Sequence, residues 1–342
     1  MAIAGCGHIA KKHAAALMDM DTARLAAVCD IRQERAESLA GRYGAAAYGD
    51  YDQMLQDKNI DAVIVCSPSG LHAAMGEQAA AAGKHVLIEK PFVLRPADGV
   101  RLVEACRQNG VRLGVVHPNR MKPIVQALRK AVDNGLFGKI THAAATLRWN
   151  RRPEYYRSEP WRGTRAFDGG ILYNQAVHLL DLLNWLAGPV SEVFAYRATR
   201  MHKIECEDVL SCVLKFSSGA LGLIEAAVTV YPENLEETLA IFGAEGTAVL
   251  GGRTMSQVKE WMFSSLSGEE AVNQASKLNQ TGNAVGHRDI LHDFVDALLC
   301  NREPLVSGRE ALQSLRLISA IYDSAARHRP VQVTMPGGAQ NE

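Results

Sequence analysis

The chain has 342 residues, 47% hydrophobic and 22% charged, with 37 Lys plus Arg against 37 Asp plus Glu. That length exceeds one ordinary core and predicts two domains. The balanced charge excludes a general attraction to nucleic acid or to an anionic membrane. No apolar run reaches the ~18 residues of a spanning helix, and the start lacks the basic, apolar and cleavage regions of a signal peptide, so the expected location is cytoplasmic. The seven cysteines are scattered without a C-x-x-C pair, which predicts buried thiols in a reducing compartment and no metal site.

In chain order, residues 1–5 (MAIAG) form a short apolar run, and 8–20 (HIAKKHAAALMDM) an Ala-rich helix. A strand follows at 24–30, then a charged helix at 32–44 ending on Gly44, a residue suited to a helix C-terminus. Residues 61–69 (DAVIVCSPS) form a β-branched strand, 72–83 a helix, 84–91 (KHVLIEKP) a strand, 96–110 a helix and 111–116 a strand. This alternation predicts βαβ units and a doubly wound parallel sheet over residues 1–118.

The pattern then changes. A helix at 122–135 precedes strands at 141–149, 190–201, 209–216, 220–230, 237–243 and 246–252, with hairpin turns at FSSGAL and FGAEGT. Short connections predict a mostly antiparallel sheet in a domain spanning 119–335. Two late helices, 288–299 and 309–328, are expected to cover it, the last one also reaching the first domain. Residues 336–342 are expected to form a disordered tail.

Gly5, Gly7 and Ala10 fit G-x-G-x-x-G/A between a strand and a helix. Such a turn bends tightly, lets backbone approach a pyrophosphate and presents a helix N-terminus to it. Asp30 closes the next strand about twenty residues on, where a carboxylate receives the ribose hydroxyls. The carboxylate favours NAD over NADP by repelling the extra phosphate, although Arg32 could accept that group. The bare alternative is a tight turn without a ligand.

The segments GCGHIAKKH, SPSGLH (67–72), EKP (89–91) and GGILYNQAVHLLD (169–181) resemble the Gfo/Idh/MocA oxidoreductases over nearly the whole chain. The resemblance implies a Rossmann domain followed by a sheet-based substrate domain, with Lys90 working near the nicotinamide and His178 opposite it. Dehydrogenation of an alcohol needs a base within hydrogen-bond reach of the hydroxyl. Lys90, at the carboxyl end of a sheet strand, suits that role, and Pro91 after it points to a fixed backbone, a cis bond being one form. The expected catalytic residues are Lys90 and His178. The expected cofactor contacts are Gly5, Gly7, His8, Ile9, Asp30, Ser67, Pro68, His72, Glu89 and Lys90. His72 could equally cap a helix, and His13 reads as structural. Asn174, His178 and Asp181 are spaced to share one helix face.

Residues 151–164 (RRPEYYRSEPWRGT), 168–190, 230–247 and GH at 286–287 resemble, more narrowly, the UDP-N-acetylglucosaminuronate 3-dehydrogenases of surface-polysaccharide synthesis. The resemblance implies oxidation of C3 of a UDP-linked N-acetylated hexuronic acid. Other substrates in view are a free sugar or an inositol-like polyol, and a non-catalytic NAD sensor is the remaining alternative. Arg148, Arg151, Arg152, Arg157, Arg162 and Arg165 crowd with Trp149, Tyr155, Tyr156 and Trp161, and guanidinium forks and aromatic faces suit carboxylate, phosphate and sugar rings. The expected substrate contacts are Asn119, Arg120, Arg148, Tyr156, Trp161, Arg162, Asn174, Gln175 and His178. The chain reads HPNR at 117–120 where that group typically reads Lys-Gln-Asn-Arg, so His117 and Pro118 do not match. A sugar or sugar-nucleotide partner and a homo-oligomer, dimer or tetramer, are expected, with no nucleic-acid or membrane partner.

Overall fold

The computed structural model describes residues 1–281 and 286–333. The chain divides into two compact units, Met1–Pro118 with Gly286–Leu315, and Asn119–Val285 with Arg316–Glu342. The expected tail, 336–342, lies outside the described residues.

In the first unit, strands β1 (Ala2–Ala4), β2 (Ala27–Cys29), β3 (Ala46–Tyr48), β4 (Ala62–Val65), β5 (His85–Ile88) and β6 (Leu113–Val115) form one parallel sheet in the order β3-β2-β1-β4-β5-β6. Strands covered on both faces read as unbroken apolar runs; all four residues of β4 are buried. The crossovers carry helices α1 (Ala10–Met18), α2 (Gln33–Tyr43), α3 (Tyr51–Leu55), α4 (His72–Ala81) and α5 (Pro96–Gln108). Helix α2 ends on Gly44 at φ +68°, the left-handed C-terminal conformation its sequence predicts. Two elements lie outside the predicted set. Strand β3 has three residues, and α3 is a five-residue helix started by the Asp50 side chain accepting from Gln53 N–H. Neither is long enough to show a period.

The second unit contains α6 (Pro123–Asp133), β7 (Ile140–Arg148), α7 (Pro153–Arg157), α8 (Ile171–Asn174), α9 (Val177–Ala187) and strands β8 (Val190–Ala198), β9 (Val209–Phe216), β10 (Leu221–Ala227), β11 (Glu236–Gly243), β12 (Gly246–Gly251) and β13 (Gln257–Phe263), followed by α10 (Gly268–Gln280). With β14 (Val331–Gln332) they build an eight-stranded mixed sheet, β13-β12-β11-β7-β10-β9-β8-β14. Every pair is antiparallel except β7 with β10. Side chains alternate across the sheet. Leu210, Cys212, Leu214 and Phe216 of β9 are buried, while Ser211, Val213 and Lys215 are exposed. Helix α9 packs on β7 and β11 and α10 on β13. Helix α10 escapes the sequence pattern because it is largely polar and buries only Ala271, and β13 because its buried Val258, Trp261 and Phe263 break the two-residue alternation.

Helix α11 corrects the expectation that both late helices cover the second sheet. Helix α11 (His287–Leu299) packs against α1, with Ile290, Leu291, Phe294 and Val295 buried. Phe294 occupies the space beside Gly114 of β6, where a Cβ would meet its ring at 2.8 Å. The chain then runs along β6, Val115 N–H donating to Val306 C=O at 2.9 Å. Helix α12 (Gly308–Arg327) begins in the first unit and ends in the second, where Ala195 N–H of β8 donates to Ser324 Oγ at 3.1 Å.

Among the described residues no helix is long and apolar enough to cross a membrane. Six cysteines are buried, as expected of all seven, but Cys300 just after α11 is exposed.

Candidate active site

The glycine loop, Asp30, Cys66–Pro68 and Glu89–Pro91 follow the carboxyl ends of β1, β2, β4 and β5. The strand order reverses between β1 and β4, and open α/β sheets bind ligands at this edge. Gly5 has φ +94°, and a Cβ there would lie 2.7 Å from the Cys66 carbonyl oxygen, so only glycine fits. A Cβ at Gly7 would meet nothing within 4 Å, which leaves open space where backbone can approach a pyrophosphate. His8 is exposed and Ile9 half-buried at the start of α1. Asp30 accepts from Cys6 N–H at 2.8 Å and from Arg32 N–H at 2.9 Å. The carboxylate is thereby fixed against the loop, and a nicotinamide dinucleotide fits these residues. Ser67 and Pro68 are half-buried beside it.

Lys90 is half-buried at the end of β5 and its bond to Pro91 is cis. Two residues of the expected cofactor set are turned inward instead. Glu89 is 4% exposed. Its Oε2 accepts from Lys90 main-chain N–H at 3.0 Å, its Oε1 accepts from His13 Nε2 at 2.7 Å, and His287 Nε2 lies 3.5 Å from the same Oε1. Burial works to raise the Glu89 carboxyl, but the His13 hydrogen bond and the positive charges around it prevail and hold it at about 2. Burial pushes His287 down to about 4. His72 is buried with Nδ1 2.8 Å from Pro91 C=O and Nε2 3.0 Å from Ser67 C=O, so it ties the β4 and β5 loops together and does not cap α4. Burial lowers its pKa, although both carbonyls favour the charged ring.

His13, Glu89 and His287 are, among the described residues, the one group whose ligand atoms lie within 4.8 Å of one another. Two ligands of one tetrahedral zinc stand roughly 3.3 Å apart; the 2.7 Å His13–Glu89 separation is that of a direct hydrogen bond. His13 Nδ1 is buried and meets no partner among the described residues, whereas metal-bound histidines usually anchor that second nitrogen.

In the second unit, Tyr155 gathers the Arg/aromatic segment. The Arg162 guanidinium lies 4.1 Å over its ring and Arg151 5.2 Å over it. Its hydroxyl accepts from Asn174 Nδ2 at 3.1 Å and from Gln175 Nε2 at 3.3 Å. Arg162 also lies over Trp161, at 4.9 Å, and its buried Nε meets no acceptor among the described residues. Asn174 also donates to Asp168, whose other oxygen accepts from Gly163 N–H at 2.7 Å. Tyr156 packs on Tyr155 and on His202. Arg151, Arg152, Tyr155 and Arg253 line an open cleft of about 480 Å³. Tyr155 and Asp168 are outside the predicted contact set; their signal was an aromatic within the arginine run and an acid directly before Gly169-Gly170. His178 is half-buried in the first turn of α9. Asn174 ends α8, so the helix face it was expected to share with His178 and Asp181 is interrupted at Gln175–Ala176.

Arg120 and Arg148, expected on the substrate, are committed elsewhere. Arg120 is buried against Asp181. Arg148 pairs with Glu225 and Glu236, at 2.5 and 2.6 Å, on the face of β7 opposite to buried Ala143, Ala145 and Leu147. Asn119 Nδ2 is 3.4 Å from Glu237, whose carboxyl burial raises.

This fold and first-unit site are those of a nicotinamide-dependent dehydrogenase. Residues 1–117 match the oxidoreductase family with an NAD-binding Rossmann fold, and 125–249 match the GFO/IDH/MocA C-terminal domain. The chain therefore belongs to the Gfo/Idh/MocA oxidoreductases, enzymes acting on CH–OH groups with NAD. It is similar to the WlbA dehydrogenase of Chromobacterium violaceum, solved with NADH and UDP-GlcNAcA, at TM-score 0.93 and 36% identity over 98% of this chain and 95% of that one. The Bordetella pertussis WlbA, solved with the same two molecules, gives 0.91 and 37% over 98% of both chains. Among curated relatives, myo-inositol 2-dehydrogenase of Thermotoga maritima is 32% identical over 71% of this chain and 72% of its own.

Proposed function

We propose that the chain oxidises a ring hydroxyl of a nucleotide-linked acidic sugar, C3 of a UDP-linked N-acetylated hexuronic acid, in polysaccharide synthesis. The single observation that carries this is Arg162: a buried guanidinium Nε without an acceptor, stacked between Tyr155 and Trp161. A buried cationic donor left unpaired is costly, so the site is built for an anion such as a carboxylate or diphosphate. The likeness to two WlbA structures solved with UDP-GlcNAcA supports the same class.

In this reading Gly5, Gly7, His8, Ile9 and Asp30 hold the dinucleotide, with Ser67 and Pro68 beside it. The NAD⁺ these residues would hold would supply the acceptor for the hydride leaving the carbinol carbon. The Lys90 amine takes the hydroxyl proton, and His178 donates to or accepts from the reacting oxygen. Asn174 and Gln175, oriented by Tyr155, position the sugar together with Tyr156, Trp161 and Asn119. Calorimetry with UDP tests the substrate class: micromolar binding supports it, and the absence of heat in the presence of NADH overturns it.

A free sugar or polyol is the second reading. It is favoured by the commitment of Arg120 and Arg148 to carboxylates, which removes two expected anion contacts, and by the inositol dehydrogenase relative.

The chain also acts as a homo-oligomer in this reading. Tyr196, Val213, Leu221 and Leu223 are exposed on the sheet's outer face, and an apolar patch of this kind marks an interface. A monomeric mass at micromolar concentration in sedimentation contradicts this.

A further inference from the structure

We propose that His13 and His287 are positioning residues for Lys90, acting through Glu89: the His13 imidazole, with the His287 ring packed against it, holds one carboxylate, and that carboxylate holds the Lys90 main chain. The inference rests on the reading of Lys90 as the base.

The geometry is continuous. His13 comes from α1 and His287 from the first residue of α11, and these two helices pack on each other. Their rings meet edge to face at 5.2 Å. Both Nε2 atoms address Glu89 Oε1, at 2.7 and 3.5 Å, while Oε2 accepts the Lys90 N–H at 3.0 Å. The carboxylate thus spans from the helix pair to the backbone of the proposed base. His13 is fully buried and Glu89 nearly so, and a buried carboxylate in a surrounding of low dielectric needs such partners to stay ionised.

The consequence is twofold. The Lys90 backbone is fixed at the sheet edge, and a permanent negative charge stands one residue from its amine. The groups facing Glu89 are His13 from α1, His72 from α4, Cys66 after β4, His287 from α11 and Lys90 itself, and Lys12 of α1 faces His287. Burial holds His287 near pKa 4, so it is neutral at pH 7, and Glu89 remains anionic in the same range. An opposite charge nearby strengthens the Lys90 amine as an acceptor of the hydroxyl proton and stabilises the ammonium that forms. The sequence places these groups far apart, and GH at 286–287 becomes meaningful only once α11 lies on α1.

The test uses the full-length protein and two readouts. In the first, lysines are reductively methylated with ¹³C-formaldehyde and the Lys90 resonance, identified by its absence in Lys90→Arg, is titrated by NMR. Glu89→Gln and His13→Leu should each lower its midpoint by about one unit, and His13→Gln, which can still donate to Glu89, should restore most of the difference. In the second, turnover of UDP-N-acetylglucosaminuronic acid with NAD⁺ is followed at 340 nm. His13→Leu and His287→Leu should reduce kcat about 10- to 100-fold, the scale of a small misplacement, with KM and NADH affinity within threefold of the parent. His287 is partly accessible, so its variant decides the question if His13→Leu does not fold. An unmoved Lys90 midpoint together with parental kcat in His287→Leu overturns the inference, as does loss of NADH binding in proportion to kcat. Stoichiometric zinc in the parent that is absent from His13→Leu would assign the cluster to a metal and likewise overturn it. If Lys90→Ala keeps parental turnover, the reading of Lys90 fails instead, and the NMR titration still judges the network alone.

Discussion

Arg120 and Asp181 close on each other inside the second unit. Nε and a terminal nitrogen of the guanidinium donate to the two carboxylate oxygens at 2.8 and 2.9 Å, with side chains 4% and 1% exposed. The guanidinium also lies 4.7 Å over Trp185. Both partners, Asp181 and Trp185, belong to α9, which carries His178 in its first turn. Arg120 therefore locks the helix that bears a proposed catalytic residue, and its charge is compensated by Asp181.

Breaking this pair from one side leaves a buried charge uncompensated. Asp181→Leu should cost about 3–5 kcal/mol, read as a fall in the urea midpoint without a change in m. Arg120→Met with Asp181→Leu should recover most of that loss, because neither charge then remains buried. A single variant as stable as the parent contradicts the assignment.

Lys90 and His178 carry the proposed proton chemistry. Lys90→Ala and His178→Ala should each reduce kcat about 10²- to 10⁴-fold, the range for losing a general acid–base group. NADH affinity, measured by fluorescence quenching, should stay within a few-fold, since Asp30 and the glycine loop are untouched. Near-parental kcat in both variants removes the mechanism.

Stability should depend on His287 in a defined pH window. Its folded pKa of about 4 lies below the ordinary 6.5, so the unfolded chain takes up the proton first as pH falls. The contribution is complete above pH 6.5 and is lost between 6.5 and 4, on the order of 3 kcal/mol over the full interval. Glu89, held at about 2 from 4.5, adds a separate loss only below pH 4.5. His287→Asn should flatten the dependence between pH 6.5 and 4 in denaturant titrations and leave the steeper acid limb in place.

The sheet edge proposed to hold the dinucleotide was legible because its signals are local. An apolar run, a Gly-x-Gly turn and an acid at the next strand end constrain one another within thirty residues. The burial of Glu89 was not legible, since its partner His13 is 76 residues away and an acid beside a reactive lysine reads equally well as a ligand contact. Arg120 and Arg148 show the same limit: an arginine near aromatics suggests an anion site, but Asp181 and Glu225 stand 61 and 77 residues further on. The placement of α11 failed for another reason. Its apolar stripe states that one face is buried and says nothing about which unit buries it.

Arg162 and Arg148 separate the substrate readings. Arg162→Met removes the guanidinium over Tyr155, whose buried Nε lacks an acceptor among the described residues, while retaining an apolar side chain against Trp161. If the substrate is an acidic sugar nucleotide, its KM should rise about 10- to 100-fold, the worth of a hydrogen bond to a charged group being ~1.5–3 kcal/mol, with kcat changing less. Arg148→Ala sits on the other sheet face, and its ion pairs, with Arg148 40% exposed, contribute at most about 1 kcal/mol. It should leave KM unchanged. Steady-state kinetics with UDP-N-acetylglucosaminuronic acid and with myo-inositol provide the comparison. A KM effect of Arg162→Met confined to the nucleotide sugar supports the first reading. Equal, small effects on both substrates shift the assignment to a free sugar or polyol, because an uncharged ring offers that guanidinium no anion to pair with.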